Sequence, residues 1–439
     1  MRILTWSSLD EPARRSALAR PSQERRADLA QAAAEIVAAV REEGDAALHR
    51  FGERFDGVRL EALAVAPGEF AAARAQLSGA HRQALERALE NVRVFHAAQR
   101  LEPLSLEVMP GVRCERLVRP IDAVGLYVPA GSAPLPSTVI MLAVPAQLAG
   151  CPRRVLCTPP TRSGAAHPAV LVAAELCGID TVFKVGGAQA IAALAYGTAS
   201  VPKVDKIFGP GNAWVTAAKQ HVAADPAAAA LDLPAGPSEV LVVADEGARP
   251  EFVAADLLAQ AEHDPLSQAV LVTDSSALAG AVSEALERQV RELSRHAILE
   301  RSLATSPCLL VTDLASAFEI VNRYAPEHLV LQLREPRRWL GAVRNAGSVF
   351  LGDWSPVTFG DYCSGTNHVL PTYGFARAYS GLSLLDFQKR ITVQELSPEG
   401  VATLGPIAER LARLEGLDGH AVAVTLRMQS AGSLPESAP

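Results

Sequence analysis

Several features that assign chains to common classes are missing from these 439 residues. The six cysteines form no CxxC pair, so neither a zinc knuckle nor a dithiol redox motif is indicated. No apolar run reaches the ~18–20 residues of a membrane span, and the first residues contain no signal-peptide core. The net charge of −7 comes from interspersed charges, without the basic stripe typical of nucleic-acid binding. We therefore expect a cytoplasmic protein with free, mostly buried thiols and no membrane or nucleic-acid partner.

Short apolar runs alternate with Ala-rich helical runs between about residues 120 and 245, and again after residue 250. This βαβ rhythm predicts parallel sheets covered by helices on both faces. We expect an α/β fold of two Rossmann-like parallel-sheet units, one inserted in the other, plus a small helical C-terminal appendage. The predicted strands include 124–128, 154–158, 181–185, 204–208, 240–244, 269–273 and 309–312, and the predicted helices include 26–43, 81–100, 250–263 and 277–293.

Two glycine-containing turns, 185–189 (VGGAQ) and 208–212 (FGPGN), follow predicted strands and open predicted helices. Glycine allows backbone N–H groups and the helix dipole to approach a phosphate. Neither turn is a GxGxxG fingerprint, and each alone is typical of any tight turn. Two such turns in successive βα units nevertheless indicate a nucleotide crevice at the carboxyl ends of parallel strands.

A second group of residues has the chemistry of metal ligands. Gln260 and His263 lie three residues apart near the end of a predicted helix, which would put both side chains on one face. Asp361, in the polar segment 360–372, and His420, in a Gly-rich turn, would complete a nitrogen and oxygen set. Such a set suits Zn²⁺, and also Mn²⁺ or Co²⁺. The alternative is that His263 is a helix-capping or core residue and that no metal binds.

Glu327 and His328 are an adjacent carboxylate and imidazole. Pro326 before them disfavours helical geometry in the residue it follows, which predicts a turn into the apolar strand that starts at Leu329. At a strand entrance the pair can reach into a cleft, where His is the usual general base and Glu can activate water. The alternative is a solvated turn without chemistry.

Several stretches between about residue 120 and residue 421 resemble histidinol dehydrogenases of histidine biosynthesis. They are VGLYVPAGSAPLPSTVIML, KVGGAQAIAALAYGT, VPKVDKIFGPGNAWVTAAK, DLPAGPSEVLVVAD, DLLAQAEHDP, YAPEHL, GDYCSGTNHVLPT and EGLDGHA. The resemblance implies a zinc-dependent, NAD-linked oxidoreductase. Such an enzyme oxidises L-histidinol through L-histidinal to L-histidine and reduces two NAD⁺.

The resemblance also implies a role for each matching residue, and a homodimer with shared active sites and one Zn²⁺ per subunit. Glu415 and His420 of one subunit would then reach the partner's site. The implied catalytic pair is Glu327 and His328; the metal ligands are Gln260, His263, Asp361 and His420; the NAD contacts are Tyr127, Gln189 and Asn212; and the substrate contacts are Ser238, Gln260, His263, His328, Asp361, His368, Glu415 and His420.

The succession of predicted strands and helices, together with these implied roles, predicts a division of the chain into domains. The expected parts are an N-terminal arm (1–25), a discontinuous substrate and metal domain (26–126 and 234–380), an NAD-binding Rossmann-like domain (127–233), a C-terminal dimerisation segment (381–429) and a disordered tail (430–439).

Three other functions stay open at this point. The nearest is a related zinc- and NAD-dependent dehydrogenase of another amino alcohol or polyol. Glu415 and His368 argue against it because they fit an amino-imidazole substrate. The other two are a nucleotide-binding module without chemistry and a metal-dependent hydrolase that needs no NAD.

Overall fold

The computed structural model describes residues 1–21, 26–130, 133–234 and 236–431. Its strands are β1 (Arg2–Thr5), β2 (Leu104–Met109), β3 (Val112–Pro120), β4 (Ala123–Tyr127), β5 (Arg153–Thr158), β6 (Val182–Lys184), β7 (Lys206–Phe208), β8 (Ala230–Leu231), β9 (Glu239–Ala244), β10 (Gln268–Thr273), β11 (Pro307–Leu310), β12 (His328–Gln332), β13 (Ser348–Leu351) and β14 (Gln388–Leu396). Its helices are α1 (Glu11–Ala17), α2 (Arg26–Glu43), α3 (Asp45–Phe51), α4 (Pro67–Gln76), α5 (Gly79–Ala97), α6 (Pro136–Ala149), α7 (Pro168–Leu176), α8 (Gly187–Tyr196), α9 (Ala213–Ala223), α10 (Pro250–Ala261), α11 (Ser276–Val290), α12 (His296–Ala304), α13 (Leu314–Tyr324), α14 (Val357–Tyr362), α15 (Pro398–Leu414) and α16 (Asp418–Ala431).

The chain divides into two compact units. The first consists of Met1–Gln99 and Ile121–Phe387, and the second of Arg100–Pro120 and the chain from Gln388 onward. The first unit contains two parallel sheets: a six-stranded sheet of order β1-β11-β10-β9-β12-β13, termed the large sheet, and a five-stranded sheet of order β6-β5-β4-β7-β8, termed the small sheet. The chain forms the small sheet between β1 and β9 of the large one, which confirms the predicted fold class.

The two sheets share one topology. Apart from β1, which adds an edge strand to the large sheet, a central strand comes first in each sheet, the next two strands extend the sheet to one side, and the chain then crosses back to add two strands on the other side. The crossing-back point lies between β9 and β12 in the large sheet and between β4 and β7 in the small sheet. At such a switch point the connections diverge to opposite faces and leave a crevice.

The strands of the large sheet are buried on both faces. All six residues of β9 and of β10 are buried, as expected for a parallel sheet between two helical layers. Along β9, Val240 and Val242 pack in one hydrophobic cluster with α10 and α11, and Leu241 and Val243 pack in another with α1 and α13. The packing of helices on both faces fixes the positions of the strands of the large sheet, and so of the amino and carboxyl edges of that sheet.

The predicted strands and helices are present in the structure, with ends that shift by a few residues, and three differences concern the ends of the chain and the candidate site. The predicted arm, 1–25, instead contains β1, which pairs in parallel with β11, and α1; residues 22–25 lie outside the described residues. Helix α10 ends at Ala261, so His263 lies beyond it. The predicted tail begins inside α16, which reaches Ala431, and residues 432–439 lie outside the described residues.

The second unit combines an antiparallel sheet, β14-β3-β2, with the helices α15 and α16, which pack on each other. The sequence places residues 100–120 in the discontinuous substrate domain, but the structure places them in the second unit, because β3 pairs with β14 far along the chain and local patterns do not reveal this pairing. No helix in the described part of the chain has the length and apolar character needed to cross a membrane.

Candidate active site

Glu327 and His328 lie at the amino end of β12, beside the switch point of the large sheet. Helix α13 ends before Ala325, which adopts a left-handed conformation with φ of 54°, and Pro326 follows. The proline turns the chain into the strand, as the sequence predicts. Both side chains are almost wholly buried, with residue exposures of 6% for Glu327 and 3% for His328. A solvated turn is therefore excluded.

The backbone N–H and carbonyl groups of Glu239, the first residue of β9, bind the two members of the pair. Its N–H donates to Glu327 Oε2 at 2.7 Å, and its carbonyl oxygen lies 3.1 Å from His328 Nδ1. Because a carbonyl oxygen only accepts, the hydrogen-bond partner assigns the imidazole proton to Nδ1. The other nitrogen, Nε2, is then the one that can accept a proton.

Asp361 on α14 faces that second nitrogen, with 3.4 Å between Asp361 Oδ1 and His328 Nε2. The carbonyl oxygen of Asp361 accepts a hydrogen bond from His368 Nδ1 at 2.6 Å, and His368 Nε2 accepts one from Thr138 Oγ1 at 3.1 Å. Thr138 lies in the first turn of α6, which follows β4 of the small sheet. This chain of contacts joins the amino edge of the large sheet to the carboxyl edge of the small sheet.

Gln260 and His263 lie at the C-terminal end of α10. Glu262 is the C-cap of that helix, so the expectation of one shared helix face does not hold for His263. Gln260 is only 2% exposed, and both polar atoms of its side chain are buried without a hydrogen-bond partner among the described residues. A buried amide left without partners is costly and indicates a missing ligand.

The charges of the pair and of Asp361 depend on one another. Burial by itself would lower the pKa of His328, but the carboxylates of Glu327 and Asp361 outweigh it and hold that pKa well above 6.5. Burial raises the pKa of Glu327 despite the nearby imidazole. Burial would also raise the pKa of Asp361, but His328 and the neighbouring histidines lower it overall. A strong base therefore lies between two carboxylates, one of which stays ionised.

The remaining two imidazoles behave differently from His328. Burial lowers the pKa of His368, both of whose ring nitrogens are already engaged. Desolvation also lowers the pKa of His263, although Asp361 acts in the opposite direction. Both side chains therefore favour the neutral form, which is the form that coordinates a metal.

The metal fit can be judged from these residues. Within the described residues no group of three or more His, Cys, Asp and Glu side chains is gathered for a metal. Of the predicted ligands, the first unit supplies only one imidazole, one carboxylate and one amide: His263, Asp361 and Gln260. The unpartnered amide of Gln260 and the ionised Asp361 fit a cation, with a nitrogen and oxygen donor set open to further ligands.

The predicted NAD contacts lie at the carboxyl edge of the small sheet. Tyr127 ends β4, Gln189 lies in the first turn of α8, and Asn212 caps α9 by accepting from the N–H groups of Trp214 and Val215. The Tyr127 hydroxyl accepts from Gly187 N–H at 3.0 Å, which ties the turn after β6 to the end of β4. Burial raises the pKa of Tyr127 to about 12, so it stays a neutral phenol.

A buried ion pair holds the second glycine turn. Lys219 Nζ lies 2.7 Å from Asp232 Oδ1 and donates to the carbonyl oxygen of Gly209 at 2.6 Å. The other carboxylate oxygen of Asp232 accepts from Gly209 N–H at 2.8 Å. Gly209 has a φ of 127°, and a Cβ there would lie 2.1 Å from the Tyr127 carbonyl oxygen, so only glycine fits.

The structure thus brings together Glu327, His328, Asp361 and His368, with Gln260, His263 and the half-buried Ser238 on adjoining elements. Two predicted residues belong to the second unit. Glu415 is the C-cap of α15, His420 lies in the first turn of α16, and both are exposed. Two contributors were missed: Glu239, signalled only by a carboxylate opening a buried apolar strand, and Thr138, which has no local signal.

The fold is thus that of an α/β protein with a buried acid–base pair at one switch point and glycine turns at the other. The histidinol dehydrogenase family model matches residues 18–428. Over 428 residues the chain is 58% identical to histidinol dehydrogenase of Xanthomonas euvesicatoria pv. vesicatoria, covering 98% of this chain and 99% of that protein. It is 54% identical over 429 residues to that of Vibrio cholerae, with the same coverage.

A solved structure gives the same result. The crystal structure of histidinol dehydrogenase from Elizabethkingia anophelis superposes with a TM-score of 0.94 at 42% identity, and covers 99% of both chains. The chain belongs to the histidinol dehydrogenase family.

Proposed function

We infer that this chain oxidises L-histidinol in histidine biosynthesis, and we propose that it carries the oxidation through L-histidinal to L-histidine with the reduction of two NAD⁺. The family match over residues 18–428 supports the overall reaction. The observation that best supports this chemistry is the buried Glu327–His328 pair, which is hydrogen-bonded to the backbone of Glu239 and faces Asp361.

His328 is the proposed base for the alcohol. Its Nδ1 proton is held by the Glu239 carbonyl oxygen, so Nε2 accepts the hydroxyl proton of histidinol as hydride leaves the carbon. The raised pKa of His328 strengthens this basicity. General-base assistance contributes about 10²–10⁴-fold, which corresponds to roughly 3–5 kcal/mol of the barrier.

Glu327 is the proposed base for the aldehyde step. Histidinal has no hydroxyl hydrogen to lose, so its carbonyl carbon must first bond a water oxygen. Glu327 takes one proton from that water as the water oxygen bonds to the carbon, and this proton is then delivered to the former carbonyl oxygen, which gives a hydrate with two hydroxyl groups and restores the carboxylate. His328 then takes a hydroxyl proton of the hydrate as the second hydride leaves, and the carboxylic acid forms.

A zinc ion fits the donor set of Gln260, His263 and Asp361, with His420 as the fourth proposed ligand. When bound, it would hold the imidazole and amine nitrogens of the substrate and so orient the reacting carbon. The buried, unpartnered amide of Gln260 supports this assignment. Ser238, His368 and Glu415 are the other proposed substrate contacts, and Glu415 would pair with the substrate ammonium or imidazole.

The proposed assembly is a homodimer in which Glu415 and His420 of each subunit complete the site of the other. Both residues are exposed on the second unit, which supports a role outside their own surroundings. NAD⁺, when bound, supplies the hydride acceptor of both steps, at Tyr127, Gln189 and Asn212 beside the small-sheet switch point. The protein would work in the cytoplasm.

The stoichiometry of the reaction tests the proposal. Purified protein loaded with Zn²⁺ should form two NADH for each histidinol consumed, with histidine as the product. One NADH per histidinol, with histidinal accumulating, would contradict the four-electron reaction. A panel of other amino alcohols and polyols should be oxidised far more slowly, and a faster member would favour the related dehydrogenase.

A further inference from the structure

The side chain of Glu239 is fixed by an arginine that lies near the start of the chain, 219 positions before it. Arg20 contacts it with two nitrogens: Nε lies 2.5 Å from Glu239 Oε1 and Nη2 lies 2.8 Å from Oε2. The two side chains are 9% and 3% exposed. Charge-assisted bidentate pairs of this kind have a fixed geometry, which makes them suited to holding a backbone segment in place.

Arg20 also contacts the element that carries the catalytic pair. Its Nη2 donates to the carbonyl oxygen of Tyr324 at 2.9 Å, and its guanidinium lies 4.0 Å from the centre of the Tyr324 ring. Tyr324 ends α13, three residues before Glu327. One guanidinium therefore joins the start of β9, which binds both catalytic side chains, to the turn that presents them.

Backbone strain is concentrated beside the same ion pair. Within the described residues, Ala325 and Tyr373 are the only non-glycine residues with positive φ, each at 54°. Ala325 directly follows the Tyr324 carbonyl bound by Arg20. Tyr373 N–H donates to Glu239 Oε1 at 2.8 Å. Strained residues persist only where their surroundings over-determine them, and they cluster at functional sites.

We propose that Arg20 is a positioning residue for the catalytic pair: through Glu239 and Tyr324 it sets the position of the Glu239 backbone N–H and carbonyl groups against Glu327 and His328. The inference rests on the proposed function, because it assumes that Glu327 and His328 transfer the protons. It assigns a positioning role to Arg20, a residue of the segment 1–25 that the sequence patterns predict to be an arm.

The test compares the kinetics of Arg20→Met with those of the wild type, using zinc-loaded protein and both histidinol and histidinal as substrates. A displacement of about 1 Å at the pair lowers turnover by about 10²-fold. We expect kcat to fall by about that factor for both substrates, while KM for histidinol and for NAD⁺ changes by less than about threefold. Arg20→Lys should recover part of kcat because an ammonium still reaches Glu239.

A double variant separates positioning from stability. Arg20→Met leaves the Glu239 charge buried and unpaired, which destabilises the fold. Arg20→Met with Glu239→Gln removes that charge and keeps an acceptor for Tyr373 N–H. We expect its thermal midpoint to return close to that of the wild type while kcat stays at least about tenfold low. Recovery of kcat together with stability would overturn the proposal.

Gln332→Met is the matched control. Gln332 is buried at the other end of β12 and donates to Asp256 Oδ2 at 2.6 Å, about 13 Å along the strand from His328. This variant should lower the thermal midpoint and leave kcat within about threefold. Unchanged kcat in Arg20→Met would overturn the inference alone, whereas a wild type that forms no NADH from histidinol would overturn the proposed function with it.

Discussion

Apart from the edge strand β1, the large and small sheets have the same strand order, yet their proposed functional residues lie at opposite edges. Tyr127 and Asn212 follow β4 and β7 at the carboxyl edge of the small sheet. Glu327 and His328 lie where β12 begins, at the amino edge of the large sheet. Ligands of open α/β sheets ordinarily bind at the carboxyl edge. Topology alone therefore predicts the proposed nucleotide side of this molecule but not the proposed catalytic side.

Helix polarity gives a physical reason for the difference. In a parallel α/β sheet each helix runs against its strands, so the carboxyl edge receives helix N-termini and the amino edge receives helix C-termini. The N-termini of α8 and α9 favour an anion such as the pyrophosphate of NAD⁺. The C-termini of α10 and α13 favour a cation, whether Zn²⁺, a substrate ammonium or a protonated His328. The two edges thus suit ligands of opposite charge.

Each edge also has its own buried ion pair. Lys219 and Asp232 hold the Gly209 turn, and Arg20 and Glu239 hold the catalytic pair. The comparison therefore predicts two kinetic signatures. Changes at the amino edge of the large sheet should lower turnover, and changes at the carboxyl edge of the small sheet should weaken NAD⁺ binding.

Removal of the metal should have the largest effect. A chelator should abolish turnover with histidinol, because it would remove the proposed Zn²⁺ that holds the substrate at the amino edge of the large sheet. Metal analysis of the active protein should find about one Zn²⁺ per chain, and adding Zn²⁺ back should restore activity. Full activity in metal-free protein would exclude the proposed site.

Replacement of His328 should come next. His328→Asn keeps a donor toward the Glu239 carbonyl oxygen but removes the base, so kcat should fall by about 10²–10⁴-fold with both histidinol and histidinal. Steady-state NADH formation measures it. His167→Asn, at the half-buried N-cap of α7, is the control and should leave kcat unchanged. A loss confined to one substrate would contradict a shared base.

Loss of the small-sheet ion pair should have a smaller and different effect. Lys219→Met frees the Gly209 turn, so KM for NAD⁺ should rise by about tenfold while kcat with saturating NAD⁺ changes little. Arg41→Gln breaks an exposed ion pair with Asp225 in the same sheet's helical layer and should change neither constant. A fall in kcat of Lys219→Met without a change in KM for NAD⁺ would contradict the proposed difference between the two edges.

The pH dependence should be the mildest effect near neutrality. His328 accepts a proton only when unprotonated, and its carboxylate neighbours hold its pKa well above 6.5. The value of kcat/KM should therefore rise with pH and be lost as pH falls through that raised pKa, by at most about tenfold per pH unit. A profile that stays flat down to about pH 6 would contradict the raised pKa.

Local patterns in the sequence were enough for the strand and helix succession and for the turn at Pro326. They predicted where Glu327 and His328 enter the sheet, because proline geometry acts on its immediate neighbour. They placed His263 on α10, although the helix ends at Ala261. Helix ends depend on tertiary packing and are the least predictable feature of a pattern.

Contacts between distant residues could not be predicted. Arg20 and Glu239 are separated by 219 positions, and Thr138 and His368 by 230. Neither arginine in a polar segment nor threonine in an apolar helix carries a local signal of such a pairing. The residues that position the active site are thus less visible in the sequence than those that perform the chemistry.

The most direct test of the account is the effect of Glu327→Gln on the two half-reactions, measured separately with histidinol and with histidinal. Glutamine occupies the same space but cannot take a proton from water. Oxidation of histidinal should fall about 10²-fold or more, and the first oxidation of histidinol to histidinal should fall much less, so histidinal should accumulate. An equal fall in both half-reactions would contradict the assignment of Glu327 to water and His328 to the alcohol.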